Sequence, residues 1–129
     1  MTFLQLGLIP GDGGAWLLPR VIGFSRAAEL LFTGDVIEAE TAKDWGLYSR
    51  IVAPEALMDE ARTLALRIAA QPPQALRLAK SLLRQGQTQS YEAVMELSAA
   101  AQALMHHTED HAEGVAAILE KRTPTFHGR

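Results

Sequence analysis

The chain contains no cysteine. Disulfides, thiolate metal sites and thiol nucleophiles are excluded, and a reducing cytoplasm is the expected compartment. No apolar run approaches the roughly 20 residues that cross a bilayer, and the first residues do not read as a signal peptide. No block of lysine and arginine occurs, and the formal net charge over 129 residues is −3. That balance gives no reason to expect a nucleic-acid partner. Neither GxGxxG nor GK[ST] is present, so dinucleotide and P-loop phosphate sites are poor readings. There is no internal repeat and no low-complexity stretch.

What is present suits a globular protein: 48% hydrophobic and 21% charged residues, in a length fitting one domain or part of a larger one. Met1 is followed almost at once by core-like residues and a glycine-rich turn. A chain that begins in mid-element is expected to lack what comes before. Residues 3–9, FLQLGLI, read as a short buried strand or the end of one. Pro10, Gly11, Asp12, Gly13 and Gly14 then make a turn. A short helix over 15–20 follows, with Pro19 as a break. Ser25 is the expected N-cap of RAAELLF, and Gly34 its stop. EAETAKDW, 38–45, reads as a helix ended by Gly46, and LYSRIV, 47–52, alternates as a strand does.

Beyond residue 52 the chain reads as helical. Pro54 opens one amphipathic helix and Pro72-Pro73 end it. A second, with Leu76, Ala79, Leu82 and Leu83 on one face, stops at Gly86. Ser90 caps a third, and a last helix covers about 110–121. Two regions follow: a compact α/β piece over 1–52, and a helical region over 53–129 whose apolar faces need a partner surface.

Taken in order, LGLIPGDGGAWLLPRVIG, RAAELLFTGDVIEAETAKDWGLYSRIV and the closing ILEKRTPTF resemble the C-terminal half of the crotonase superfamily, the enoyl-CoA hydratases and isomerases. The resemblance implies an α/β fold. Here it would be the end of a ββα spiral carrying the glycine turn, followed by a helical region that builds homotrimers or hexamers. It implies an acyl-CoA substrate and no separate cofactor, since CoA enters as part of the thioester. The implied chemistry is hydration or double-bond isomerisation through a thioester enolate held by two backbone N–H groups. Both donors lie upstream of this chain in the family, so the alternative is a catalytically inactive helical assembly fragment.

The resemblance also distributes roles. A second hydratase glutamate of the family falls at Phe3 here, which tilts the expectation from hydratase toward isomerase. An acid placed in the turn by some members aligns with Gly11, one residue before Asp12. Asp12 is the catalytic candidate. Its alternative is a structural one, bonding nearby backbone N–H groups or capping the next helix. Pro10, Gly11 and Gly13 either form a tight turn or let the backbone approach the acyl chain or pantetheine. Lys121 is a substrate-binding candidate, beside the CoA phosphates, or with Arg122 part of a solvated charge pair. Phe126 lines the CoA region or tucks against the body.

Other residues read as structural. His106, His107 and His111 form HHTEDH, with His107 and His111 at i, i+4. A third ligand is not evident, so no metal is expected and a surface or interface cluster is the reading. Trp16 and Trp45 read as core anchors. Glu29, Asp35, Glu38, Glu40 and Asp44 read as solvated helix faces and caps.

Overall fold

The computed structural model describes residues 3–129. Two compact units divide after Leu57, and each is built from helices and loops. In the first, a 3-10 turn (Leu4–Leu6) closes on Gly7, and three helices follow: α1 (Gly14–Ile22), α2 (Phe24–Thr33) and α3 (Ala39–Asp44). A second 3-10 turn, Pro54–Ala56, ends it. In the other unit, α4 (Leu57–Ala69), α5 (Pro73–Gln85), α6 (Tyr91–Met105) and α7 (Glu109–Glu120) succeed one another.

The core of the first unit follows from helical spacing. Leu18 and Ile22 share one face of α1, and Ala27, Leu30 and Leu31 one face of α2. Ala27 is fully buried, and so small a side chain lets the two helices approach closely. Ile37, Trp45 and Leu47 pack over the cluster. Burial of Leu18, Ile22 and Leu30 contributes about 2 kcal/mol each.

Several expectations need correction here. Among the described residues there is no strand: residues 3–52 form helices and loops where strands are expected at 3–9 and 47–52, while the helical region beyond them is as expected. A strand is a property of a pair. Neither 3–9 nor 47–52 finds a ladder partner, and these runs form a 3-10 turn and loops instead. Ser25 does not cap α2. Gly23, at φ 83°, reverses the chain directly between helices, and its carbonyl accepts from the Ala27 N–H at 3.1 Å. Pro19 does not break α1, which runs on to Ile22. Pro19 stands in the last turn of α1, where it removes one ladder bond, and the packing of Leu18 and Ile22 carries the helix through.

The second unit follows its punctuation closely. Pro73 stands at the first turn of α5, as Pro54 does in the 3-10 turn that closes the first unit, and there a missing N–H costs nothing. The Ser90 hydroxyl accepts from the Ala93 N–H at 3.3 Å, capping α6. Thr108 caps α7 by accepting from the His111 N–H at 3.1 Å, while its hydroxyl donates to the Met105 carbonyl at 2.8 Å. α5 packs on α6, where Leu82 and Val94 are half-buried. Ala101 and Ala117 are the buried apolar residues, and both are small. Met58, Leu66, Ile68, Leu83, Leu104, Ile118 and Leu119 remain exposed.

Candidate functional site

The 10–14 turn is built by its own backbone. The Gly11 N–H donates to the Ile9 carbonyl at 2.8 Å, a tight reversal about Pro10. Gly13 has φ 91° and serves as the N-cap of α1, a conformation that side chains resist. The Asp12 Oδ1 accepts from the Gly14 N–H at 3.0 Å, satisfying one of the N–H groups a helix start leaves open. Asp12 itself is exposed, as are Gly11 and Gly13, whereas Pro10 is half-buried and Gly14 buried. Gly11 differs from Gly13. Its φ is not positive, and a Cβ added there meets only the Ile9 carbonyl, at 3.9 Å.

Behind the turn, the Arg20 guanidinium lies 3.9 Å from the Trp16 ring centroid and donates to the Trp16 carbonyl at 2.8 Å. Trp16 is 47% exposed, so it is no core anchor. The charged partner over its face takes the place of burial. Trp45 does pack against the core, with Arg26 over its ring at 5.2 Å.

The end of the chain holds the densest polar network. Residues 121–129 fold back along α7. Asp110 is 4% exposed, and its carboxylate accepts from two consecutive backbone N–H groups, His127 at 2.7 Å and Gly128 at 2.8 Å. Its own N–H donates to the Arg129 carbonyl at 3.0 Å. One turn further, Glu113 receives both prongs of Arg122, at 2.6 and 2.8 Å, and the Thr125 N–H at 2.8 Å. These donors, the Arg122 hydrogen bonds first and the Thr125 N–H next, hold the Glu113 carboxyl down to about 2. Arg122 is correspondingly raised by Glu113 and then Glu120. The Gln74 amide donates to the Gly128 carbonyl at 2.6 Å. The Phe126 ring covers Gly114, where an added Cβ would lie 3.7 Å from it. Lys121 is exposed and stands in the left-handed region at φ 56°, ψ 38°, as the C-cap of α7.

Asp110 and Glu113 were not singled out by sequence reasoning for this role. Their i, i+3 spacing put both on one face of α7, and that was the available signal. The histidines pair differently from expectation. His106 Nδ1 and His111 Nε2 lie 3.1 Å apart with the rings edge to face, because α6 ends at Met105 and the helical spacing of His107 and His111 does not apply across the turn. Among the described residues no group of three His, Cys, Asp or Glu side chains is placed to hold a metal. Beside His111 and Asp110 lies a cleft of about 210 Å³, also lined by Pro72, Gln74, Gln102, Met105 and Thr108.

The family model for enoyl-CoA hydratase/isomerase matches residues 1–129. The chain belongs to this family, part of the crotonase superfamily. It is 41% identical over 129 residues to a 1,2-epoxyphenylacetyl-CoA isomerase of Escherichia coli, covering all of this chain and 49% of that protein. It is 40% identical over 121 residues to a crotonyl-CoA hydratase of Syntrophomonas wolfei, covering 94% of this chain and 46% of that one. The fold matches an enoyl-CoA hydratase structure from Bacillus anthracis with a TM-score of 0.95 at 39% identity, over 99% of this chain and 50% of that one. The chain thus spans about half the length of the relatives it matches.

Proposed function

We propose that the protein carrying this chain processes acyl-CoA thioesters, by hydration or double-bond isomerisation through a thioester enolate. The observation that carries this reading is the match over the whole chain to a crotonyl-CoA hydratase and a 1,2-epoxyphenylacetyl-CoA isomerase. The common element of those two names is a CoA thioester. An enolate of that kind is stabilised by fixed donors aimed at its oxygen, with a carboxyl group moving the proton. Asp12 is the proposed carboxyl. Its tie to the Gly14 N–H fixes the side chain at the rim of the turn. Pro10, Gly11 and Gly13 bring backbone to the acyl chain or pantetheine. Gly11 supports this, since neither its φ nor its own chain demands a glycine. Lys121 is proposed to meet the CoA phosphates and Phe126 to line that region. The proposed assembly is a homotrimer or hexamer in the cytoplasm, with no cofactor beyond the CoA of the substrate.

The exposed apolar faces of α4 and α7 favour a second reading, in which these helices serve assembly alone. Calorimetric titration of acetoacetyl-CoA, with the oligomeric mass measured alongside, separates the two. Micromolar binding supports the enzyme; a trimer without binding supports the assembly module. In the enzyme, Asp12→Ala is expected to lower kcat by about 10²-fold or more with little change in KM. Unchanged kcat would leave Asp12 as a helix cap.

A further inference from the structure

Among the described residues Lys121 is the one side chain held at positive φ. Helix ends that need this conformation ordinarily take glycine. The turn at Gly7 and the end of α2 at Gly34 do so here, both at φ 71°. α7 ends instead on a lysine, at a conformational cost a glycine would avoid. Two further features accompany that lysine. Its neighbour Arg122 is gripped by Glu113 and Glu120, whereas among the described residues no side chain pairs with the Lys121 ammonium. The backbone on either side is also tied down. The Lys121 and Arg122 N–H groups donate to Ile118 and Ala117, at 3.3 and 3.0 Å, and the Thr125 N–H returns to Glu113. Strained backbone persists where its surroundings over-determine it, and Glu113 adds to the two backbone bonds by holding the Arg122 side chain and the Thr125 N–H that follow the turn.

We propose that Glu113 is a positioning residue for Lys121. By clasping Arg122 with both carboxylate oxygens and Thr125 by its N–H, Glu113 fixes the left-handed turn from which the Lys121 ammonium meets the CoA phosphates. This rests on the reading of Lys121 as a phosphate contact. Glu113 touches no substrate in this scheme. Its carboxylate faces Arg122, Thr125 and the neighbouring tail, and it acts through the shape it imposes two turns further along α7.

The test is calorimetric titration of acetoacetyl-CoA and of acetoacetyl-pantetheine, which lacks the CoA nucleotide phosphates, into the protein carrying this chain. Lys121→Ala is expected to weaken CoA-thioester binding about tenfold, the worth of one charge-assisted contact, and to leave the pantetheine thioester unchanged. Glu113→Ala is expected to weaken CoA-thioester binding about fivefold, again without touching pantetheine, and to add nothing in the Lys121→Ala background. Arg122→Gln opens the same clasp from the other side and gives the same CoA-selective loss should Glu113→Ala misfold. Lys121→Gly keeps the turn and loses the charge, so it matches Lys121→Ala in binding while melting higher. The proposal is overturned if both clasp variants bind CoA thioester normally, lose both ligands equally, or add in full to Lys121→Ala. An unchanged affinity in Lys121→Ala overturns instead the assignment of Lys121 to the phosphates.

Discussion

Asp110→Asn isolates the latch that holds the C-terminal residues. The wild-type carboxylate offers one oxygen to the His127 N–H at 2.7 Å and the other to the Gly128 N–H at 2.8 Å. Asparagine has nearly the same shape but a single acceptor, so its NH₂ must face one of those donors. A hydrogen bond from a neutral donor to a charged group contributes about 1.5–3 kcal/mol. One such bond is lost and the other loses its charge, giving a local cost of about 2–3 kcal/mol. The Gln74 amide, the Arg129 carbonyl and Glu113 still hold the same segment. The cost therefore appears first as local opening rather than as global unfolding. Amide exchange at His127 and Gly128 is expected to accelerate about 30- to 150-fold. The urea midpoint moves less, because tail release sets a ceiling on the loss. Its residual shift reflects the removal of a negative charge from the first turn of α7. Exchange accelerated less than about threefold would refute the reasoning, since two short bonds to a 4% exposed carboxylate would then carry no stability.

Two further outcomes follow. The Glu113 carboxyl sits at about 2 against an ordinary 4.5. A depressed carboxyl stabilises fully above its unfolded value and loses that contribution as pH falls through its folded one. The Arg122 and Thr125 signals in a nuclear magnetic resonance titration should thus hold near pH 4 and shift only as pH nears 2. Release between pH 5 and 4 would contradict the clasp. Ser90→Ala is expected to cost about 1 kcal/mol as a lost helix cap. Thr108→Ala should cost more by a few tenths, since it loses its bond to the Met105 carbonyl as well as the cap. Urea unfolding of the two variants compares them, and equal midpoints would deny the second bond any weight.

The helices of the second unit were legible because their ends are written locally. Pro73, Gly86 and Ser90 each mark a boundary within a residue or two. The first unit was less so. FLQLGLI and LYSRIV carry the apolar pattern of strands, yet pairing depends on a neighbour that no local pattern supplies. Ser25 lost to Gly23 because the helix reverses at once between α1 and α2, where only positive φ serves. In the turn, both the need for Gly13 and the capping geometry of Asp12 were readable from residue type. The Asp110 latch was not, since its partners stand 17 and 18 residues away.

The chain has two tryptophans, Trp16 and Trp45. Both lie in the unit that ends at Leu57, one under the Arg20 guanidinium and the other against the α1–α2 core. Light absorbed selectively by tryptophan is therefore emitted only from that unit, while the far-ultraviolet dichroism is summed over all seven α-helices of the described residues. Superimposed unfolding curves from the two signals would mean that the halves melt as one body. Curves that separate would mean that the first half melts apart from the rest, read without a label or an added probe.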